Sequence, residues 1–207
     1  MTHFADSPTL RNDVVTLEPL TLEHTEGLMA AVHDGELWNT WYTSIPAPDA
    51  VRADVQRRVA LRESGTSAQW AIRRNDTASI CGVTTYLNLA PEHRRLEIGA
   101  TWMARSAHGA GINPAAKLLL LGRAFETLGC NVVELRTHWH NHQSREAISR
   151  LGAKQDGVLR NHQVWSDGSL RDTVVFSIIA SEWPAVRSGL LHRLRAHARR
   201  TADGPVG

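Results

Sequence analysis

Cysteine is scarce: Cys81 and Cys130 are the only two in 207 residues, far apart and without the spacing of a metal site or a redox pair. That argues against a disulfide framework and for small buried thiols in a reducing compartment. No basic start leads into an apolar run over residues 1–8, and no later stretch is apolar enough to span a bilayer. The expectation is a cytoplasmic chain without a membrane partner. Excess charge is lacking as well. A formal net charge of +2 gives no global pull toward nucleic acid or lipid. Internal repeats and dividing linkers are absent, so one domain with a real core is expected over residues 1–183, followed by a basic helix and tail over 184–207.

Patterning supplies the elements. A β-rich run at 14–17 precedes a helical pattern opened by Thr21 and carried by Leu22, Leu28, Met29 and Val32. An aromatic loop over 37–48 separates it from a second helix marked by Val51, Val55, Val59 and Leu61. Strands over 69–73, 80–89 and 96–103 read as a meander, with turns at Asn75-Asp76 and at residues 91–93. A helix over 114–128, a strand over 132–137 and a helix over 143–151 follow. Two strands, 158–165 and 173–179, are joined at the hairpin signal Asp167-Gly168. An arginine-rich helix over 183–200 and a frayed end over 201–207 complete the chain. The class is α+β with a mixed sheet.

Gly109 and Gly111 mark a place where the backbone turns tightly or approaches a ligand, since neither carries a Cβ. Asn113 as N-cap and Pro114 at the first helical position predict a helix start whose free N–H groups face the loop and attract an anion. Arg105 or His108 adds charge. The third glycine of a dinucleotide fingerprint is missing, and so is the Gly-Lys-Ser/Thr ending of a nucleotide P-loop. An ordinary strand-to-helix turn is the alternative.

With this element order, the segment resembles the GNAT acetyltransferase superfamily, specifically its RimJ/RimL-like branch, from Val14 to about Ile179. Gly109-Ala110-Gly111 matches the second half of the signature Gln/Arg-x-x-Gly-x-Gly/Ala. Ser106 stands at the Gln/Arg position, a departure that leaves Arg105 or the backbone N–H groups to compensate. The run from Glu97 to Trp102 resembles the family's central strand. Asn141-x-x-Ser144, with Leu151-Gly152-Ala153, resembles its later helix. The resemblance implies an acyl-CoA-dependent N-acetyltransferase with a mostly antiparallel mixed sheet, flanking helices and splayed central strands. Acetyl-CoA is the implied cosubstrate, with no metal. The implied cofactor site comprises Thr101, Trp102, Met103, Arg105, Ser106, His108, Gly109, Ala110, Gly111, Ile112, Asn113, Asn141 and Ser144.

Acetyl transfer to an amine needs a neutral nucleophile, a stabilised oxyanion and a proton for the departing thiolate. Glu97 stands where the family often has a general base, which burial would tune; an ion pair with Arg94 or Arg95 is the other reading. Alternation places Glu97, Gly99, Thr101 and Met103 on one face of their strand. Ser144 can donate a hydrogen bond to the thiolate as it leaves, a serine-assisted variant, because Ile148 occupies the position of the family's tyrosine acid; alternatively its hydroxyl caps a helix, unless Asn141 is the cap. Trp38, Trp41, Tyr42, Tyr86 and His138 are acceptor-site candidates, with core packing as the other reading of the first four. Alternating His138, His140 and His142 carry no accompanying cysteine or carboxylate cluster, which weighs against a metal.

The stripe Leu118, Leu121, Phe125 and Leu128 reads as core. Arg187, Arg193, Arg195, Arg199 and Arg200 read as a solvated face, or as a contact to nucleic acid or the ribosome. The implied partner is an amine acceptor, either a small molecule or a protein N-terminus, and a homodimer stays open. A non-catalytic acyl-CoA-binding or ribosome-associated module is the alternative function.

Overall fold

The computed structural model describes residues 3–165 and 167–202. Residues 203–207 of the expected frayed end lie outside the described residues. In chain order the elements are β1 (Leu10–Arg11), β2 (Val15–Pro19), α1 (Thr25–His33), α2 (Val51–Glu63), β3 (Ala68–Arg74), β4 (Ile80–Ala90), β5 (Arg95–Met103), α3 (Ile112–Gly122), β6 (Val132–His138), α4 (His142–Leu151), β7 (Lys154–Val164), β8 (Leu170–Ile179) and α5 (Trp183–Ala202). The eight strands form one sheet in the order β1-β2-β3-β4-β5-β6-β8-β7. Every pairing is antiparallel except β5 with β6. This is the expected mixed, mostly antiparallel α+β sheet.

The strands form where β-branched and aromatic residues recur, and their alternate side chains bury against helices. Leu17, Trp70, Tyr86, Leu96, Leu135 and Ile178 are fully buried in one continuous core. On α3 the buried set is Ile112, Ala115, Ala116, Lys117, Leu120 and Leu121, and Ala124 follows in the next turn. Leu118, Phe125 and Leu128 lie at the edge of that core, so the expected stripe is turned partly away from the sheet. A π-helical turn over Arg123–Thr127 extends the helix, and Phe125 stacks on Trp183 of α5. Trp183, Val186 and Leu190 tie α5 into the same core. Cys81 and Cys130 are buried free thiols, both pushed up to about 11 by desolvation.

Candidate active site

The parallel pairing of β5 and β6 covers only Arg95↔Val132, Leu96↔Val133 and Glu97↔Glu134. Past Glu97 the two strands part. The opening belongs to a cavity of about 1110 Å³ lined by residues 97–103 of β5, 135–138 of β6, the glycine loop, and faces of α3, α4 and α5. Each parting strand keeps its outer partner, β4 or β8.

A bulge re-aims β5 at this point. Val83 pairs with Trp102 and Thr85 with Gly99, so two steps on β4 match three on β5. Ala100 takes up the extra residue with φ +45°, a left-handed conformation that costs an alanine energy. Arg58 of α2, ion-paired to Asp54, braces it by donating from Nη2 to the Ala100 carbonyl at 3.4 Å. The bulge corrects the expected alternation. Glu97 and Gly99 face the α1–α2 side, whereas Thr101 is turned to the α3 side. There its hydroxyl lies 2.8 Å from that of Thr84.

Glu97 is 6% exposed. Asn88 Nδ2 donates to its Oε2 at 2.7 Å, and Arg136 Nε lies 3.4 Å from the same oxygen. A Cβ on Gly99 would come within 2.7 Å of Glu97 Oε1, so the glycine makes room for the carboxylate. Burial raises the Glu97 pKa above the usual carboxylate value, against the lowering influence of Arg136 and Asn88. The expected ion-pair partners were the wrong arginines: Arg95 reaches across to Glu134, and Arg94 lies in the turn before β5.

The glycine loop differs from expectation in its helix start. Gly111, with φ +76°, is the N-cap of α3, so Asn113 and Pro114 fall inside the first turn. Proline is harmless there, since first-turn N–H groups have no intrahelical partner. Gly109, with φ +77°, has open space where a Cβ would stand. Thr101, Trp102, Met103, His108, Gly109, Gly111 and Asn113 line the cavity; Arg105, Ser106, Ala110 and Ile112 do not. The Ile112 side chain is buried in the core. The Ser106 N–H donates to Asp34 Oδ2 at 3.2 Å and the Arg105 N–H to the Asp34 carbonyl at 3.0 Å, fixing the loop to the end of α1. His108 Nε2 lies 3.1 Å from the Met103 carbonyl.

Asn141 is the N-cap of α4, its Oδ1 accepting from the Ser144 N–H at 3.0 Å. The Ser144 hydroxyl is therefore not the cap, and the residue lines the cavity together with Asn141 and Ile148.

Among the acceptor candidates, Tyr42 and His138 line the cavity. Trp41 is 61% exposed and packs its ring against those of His138 and His140. Trp38 packs on the core edge beside His33, and Tyr86 is a core residue, fully buried against Trp70 with its hydroxyl donating to the Leu120 carbonyl. Neither reaches the cavity. Tyr86 points to the α3 side because β4 alternates, and a buried phenol needs one acceptor, which the helix supplies. His138 Nδ1 accepts from the His140 N–H at 3.0 Å, which places the proton of the neutral ring on Nε2. Burial, then Arg171 and His140, lower its pKa. Among the described residues no three His, Cys, Asp or Glu side chains converge as a metal set.

Sequence reasoning missed most of the cavity's charge. Arg58, Lys117, Arg136, Arg150, Arg171, Arg193 and Arg200 line it, and among the described residues Glu97 is its one carboxylate. Lys117, on α3, is 6% exposed, and its Nζ reaches the Thr101 hydroxyl at 3.5 Å. Desolvation pushes it down to about 8. Arg193 and Arg200, expected on a solvated face, flank His197 on α5. A Cβ on Gly111 would come within 2.9 Å of the His197 ring. Residues four before and three after His197 share its helix face, so both arginines are turned toward the glycine loop.

Comparison with known proteins agrees with this architecture. Residues 15–154 match the acetyltransferase (GNAT) domain family. YoaA of Bacillus subtilis (strain 168), named an uncharacterized N-acetyltransferase, is 26% identical over 83% of this chain and 97% of its own length. YdaF of the same organism, which carries a provisional ribosomal N-acetyltransferase name, is 34% identical over 51% of this chain and 56% of its own. A crystal structure from T. thermophilus, provisionally described as an acetyltransferase, superposes with a TM-score of 0.80 at 32% identity, over 91% of this chain and 98% of that one. A parted β5–β6 pair, a glycine loop capping α3 and this match over most of the core place the chain in the GNAT N-acetyltransferase family.

Proposed function

We propose that the chain transfers an acetyl group from acetyl-CoA to a primary amine by direct attack in a ternary complex. The observation that carries this reading is the continuous cavity running from the glycine loop, through the gap between β5 and β6, to the buried carboxylate of Glu97.

In this reading the first-turn N–H groups of α3, with those around Gly109 and Gly111, hold the pyrophosphate. His108, Asn113 and Asn141 flank it, while Arg105, Ser106, Ala110 and Ile112 act only through the backbone that shapes the loop. Backbone groups at Thr101, Trp102 and Met103 that face the gap hold the pantetheine amides and donate to the thioester carbonyl. Glu97 takes a proton from the incoming ammonium, directly or through water, and the free amine attacks the carbonyl carbon. The C–S bond breaks, the proton that the attacking nitrogen still carries passes through water to the departing thiolate, and the Ser144 hydroxyl donates a hydrogen bond to that sulfur as it leaves. Tyr42, Trp41 and His138 border the acceptor. The acceptor is a small molecule or a protein N-terminus.

Thiol release on mixing with acetyl-CoA and a panel of amines tests the reaction; folded protein that binds no acyl-CoA by calorimetry would sink it. Glu97→Gln is expected to lower kcat/KM by about 10²-fold, the scale of a positioned base. Because burial raises the Glu97 pKa, activity should climb with pH through a limb above the ordinary carboxylate range, and the Gln variant should lose that limb. Retention of the limb assigns it to another group. Ser144→Ala is expected to slow turnover while leaving the limb in place.

A further inference from the structure

The cations of the cavity are not equivalent. Arg58 is held by Asp54 at 2.7 Å, Arg136 by Glu134 at 2.7 Å, and Arg150 by Glu146 at 3.3 Å. Arg193 and Arg200 sit beside the glycine loop, where the acyl-CoA reading places phosphates. Arg171, at the start of β8, fits neither group. Among the described residues no carboxylate pairs with it. Its neighbour Asp172 turns away to Arg160 and to the Asn161 N–H.

The Arg171 guanidinium lies 5.1 Å from the centroid of the Trp165 ring and donates from Nη1 to Gln163 Oε1 at 3.1 Å. Its Nε is buried without a hydrogen-bond partner among the described residues. Burial disfavours its charged form, and the more distant charge of Glu97 works against that. A partly desolvated cation with an orphaned N–H is costly by itself, and a planar guanidinium suits a carboxylate or phosphate.

The surroundings define what could meet it. His138 stands opposite Thr173 across the β6–β8 ladder, and Glu97 stands opposite Glu134 across β5–β6. By alternation Arg171 and Thr173 share a face with His138, Arg136 and Glu97. Tyr42, from the α1–α2 loop, packs near His138 on this face. The proposed base and Arg171 thus border one chamber, into which the neutral His138 ring offers an Nε2–H donor. A polycation would meet Arg171 and Arg136 there, and among the described residues Glu97 is the one carboxylate lining the cavity, with Glu134 beside Arg136.

We propose that Arg171 anchors an anionic group of the acceptor, so that the substrates are amines that also carry a carboxylate or a phosphate. The proposal rests on the acetyl-CoA reading above and narrows its acceptor. Arg171 is a specificity residue in this scheme. It binds the acceptor remote from the reacting nitrogen, and that binding aligns the amine with Glu97.

The test uses the full chain with saturating acetyl-CoA and matched probes: β-alanine against propylamine, phosphoethanolamine against ethanolamine, and spermidine as a polycation. At least one anionic amine is expected to exceed its neutral match in kcat/KM by about tenfold or more, the worth of one charge-assisted hydrogen bond. Arg171→Gln should erase most of that ratio and Arg171→Lys part of it. Arg52→Ala, on the exposed face of α2, should leave it alone. A wild-type ratio near one, a preference for spermidine, or a ratio that survives Arg171→Gln overturns the anchor. Should the Gln variant fail to fold, the Lys variant decides, and an undiminished ratio there overturns it equally. If no probe turns over, calorimetry on the CoA-saturated protein reads the same ratio from binding, and equal binding within each pair overturns the proposal. Failure of acetyl-CoA itself to bind would remove both readings, whereas acetyl-CoA binding without an anion preference removes only this one.

Discussion

Lys117 is one of only two lysines in the sequence, and its ammonium is buried with a threonine hydroxyl as its hydrogen-bond partner. Its pKa falls to about 8 in the folded chain, against about 10.4 for an unfolded lysine. Between those values the unfolded chain binds the extra proton, so this residue makes stability rise with pH across that window. Below it, the folded chain bears the cost of a buried charge. Lys117→Met is therefore expected to raise Tm at pH 7, by about 2–4 °C for each kcal/mol recovered, with the gain shrinking toward pH 10. A difference that stays constant across that range would show that no proton is linked to folding here. Neither Lys117 nor Arg171 was legible as a site residue, because a lone cation in a helix or strand reads as solvent-facing until packing covers it. Ala100 was equally silent, since nothing in an alanine announces a left-handed bulge. Glu97 and Ser144, which both line the cavity, stood out as candidates because their positions resemble a family pattern.

At the scale of elements, the order of strands and helices could be read from turn residues and periodicity, and the boundaries moved by a few residues. β7 begins at Lys154, earlier than expected, because its first residues alternate weakly and lie exposed. What could not be read was the placement of α5. Its arginines looked like a solvated face, yet the burial of Trp183, Val186 and Leu190 against the core turns Arg193 and Arg200 to the glycine loop. Removing both charges, Arg193→Ala with Arg200→Ala, is expected to raise the KM for acetyl-CoA several-fold while kcat holds, as in losing two partly solvated phosphate contacts. Gly111→Ala should act in the same direction. It forces a left-handed alanine and drives its Cβ against His197, whereas Arg105→Ala should do little, since that side chain lies outside the cavity. Steady-state kinetics varying acetyl-CoA distinguish these cases, and a larger effect from Arg105→Ala would refute a backbone-built phosphate site.

At the scale of the whole molecule, the formal net charge of +2 conceals an uneven distribution, because among the described residues the cavity gathers cations around a single carboxylate. A focused field of this kind attracts a polyanion and is screened by salt. The kcat/KM for acetyl-CoA is expected to fall steadily between about 50 mM and 500 mM salt, and a flat profile would mean that the cations act only at contact. The parting of β5 and β6 has a further bearing on strand pairing. Unpaired strand edges normally invite other chains to pair with them. Here the two parted edges line a cavity bordered by α3, α4 and α5. In the acetyl-CoA reading, a slender amide-bearing cosubstrate would meet strand edges that the surrounding helices screen from a second β-strand.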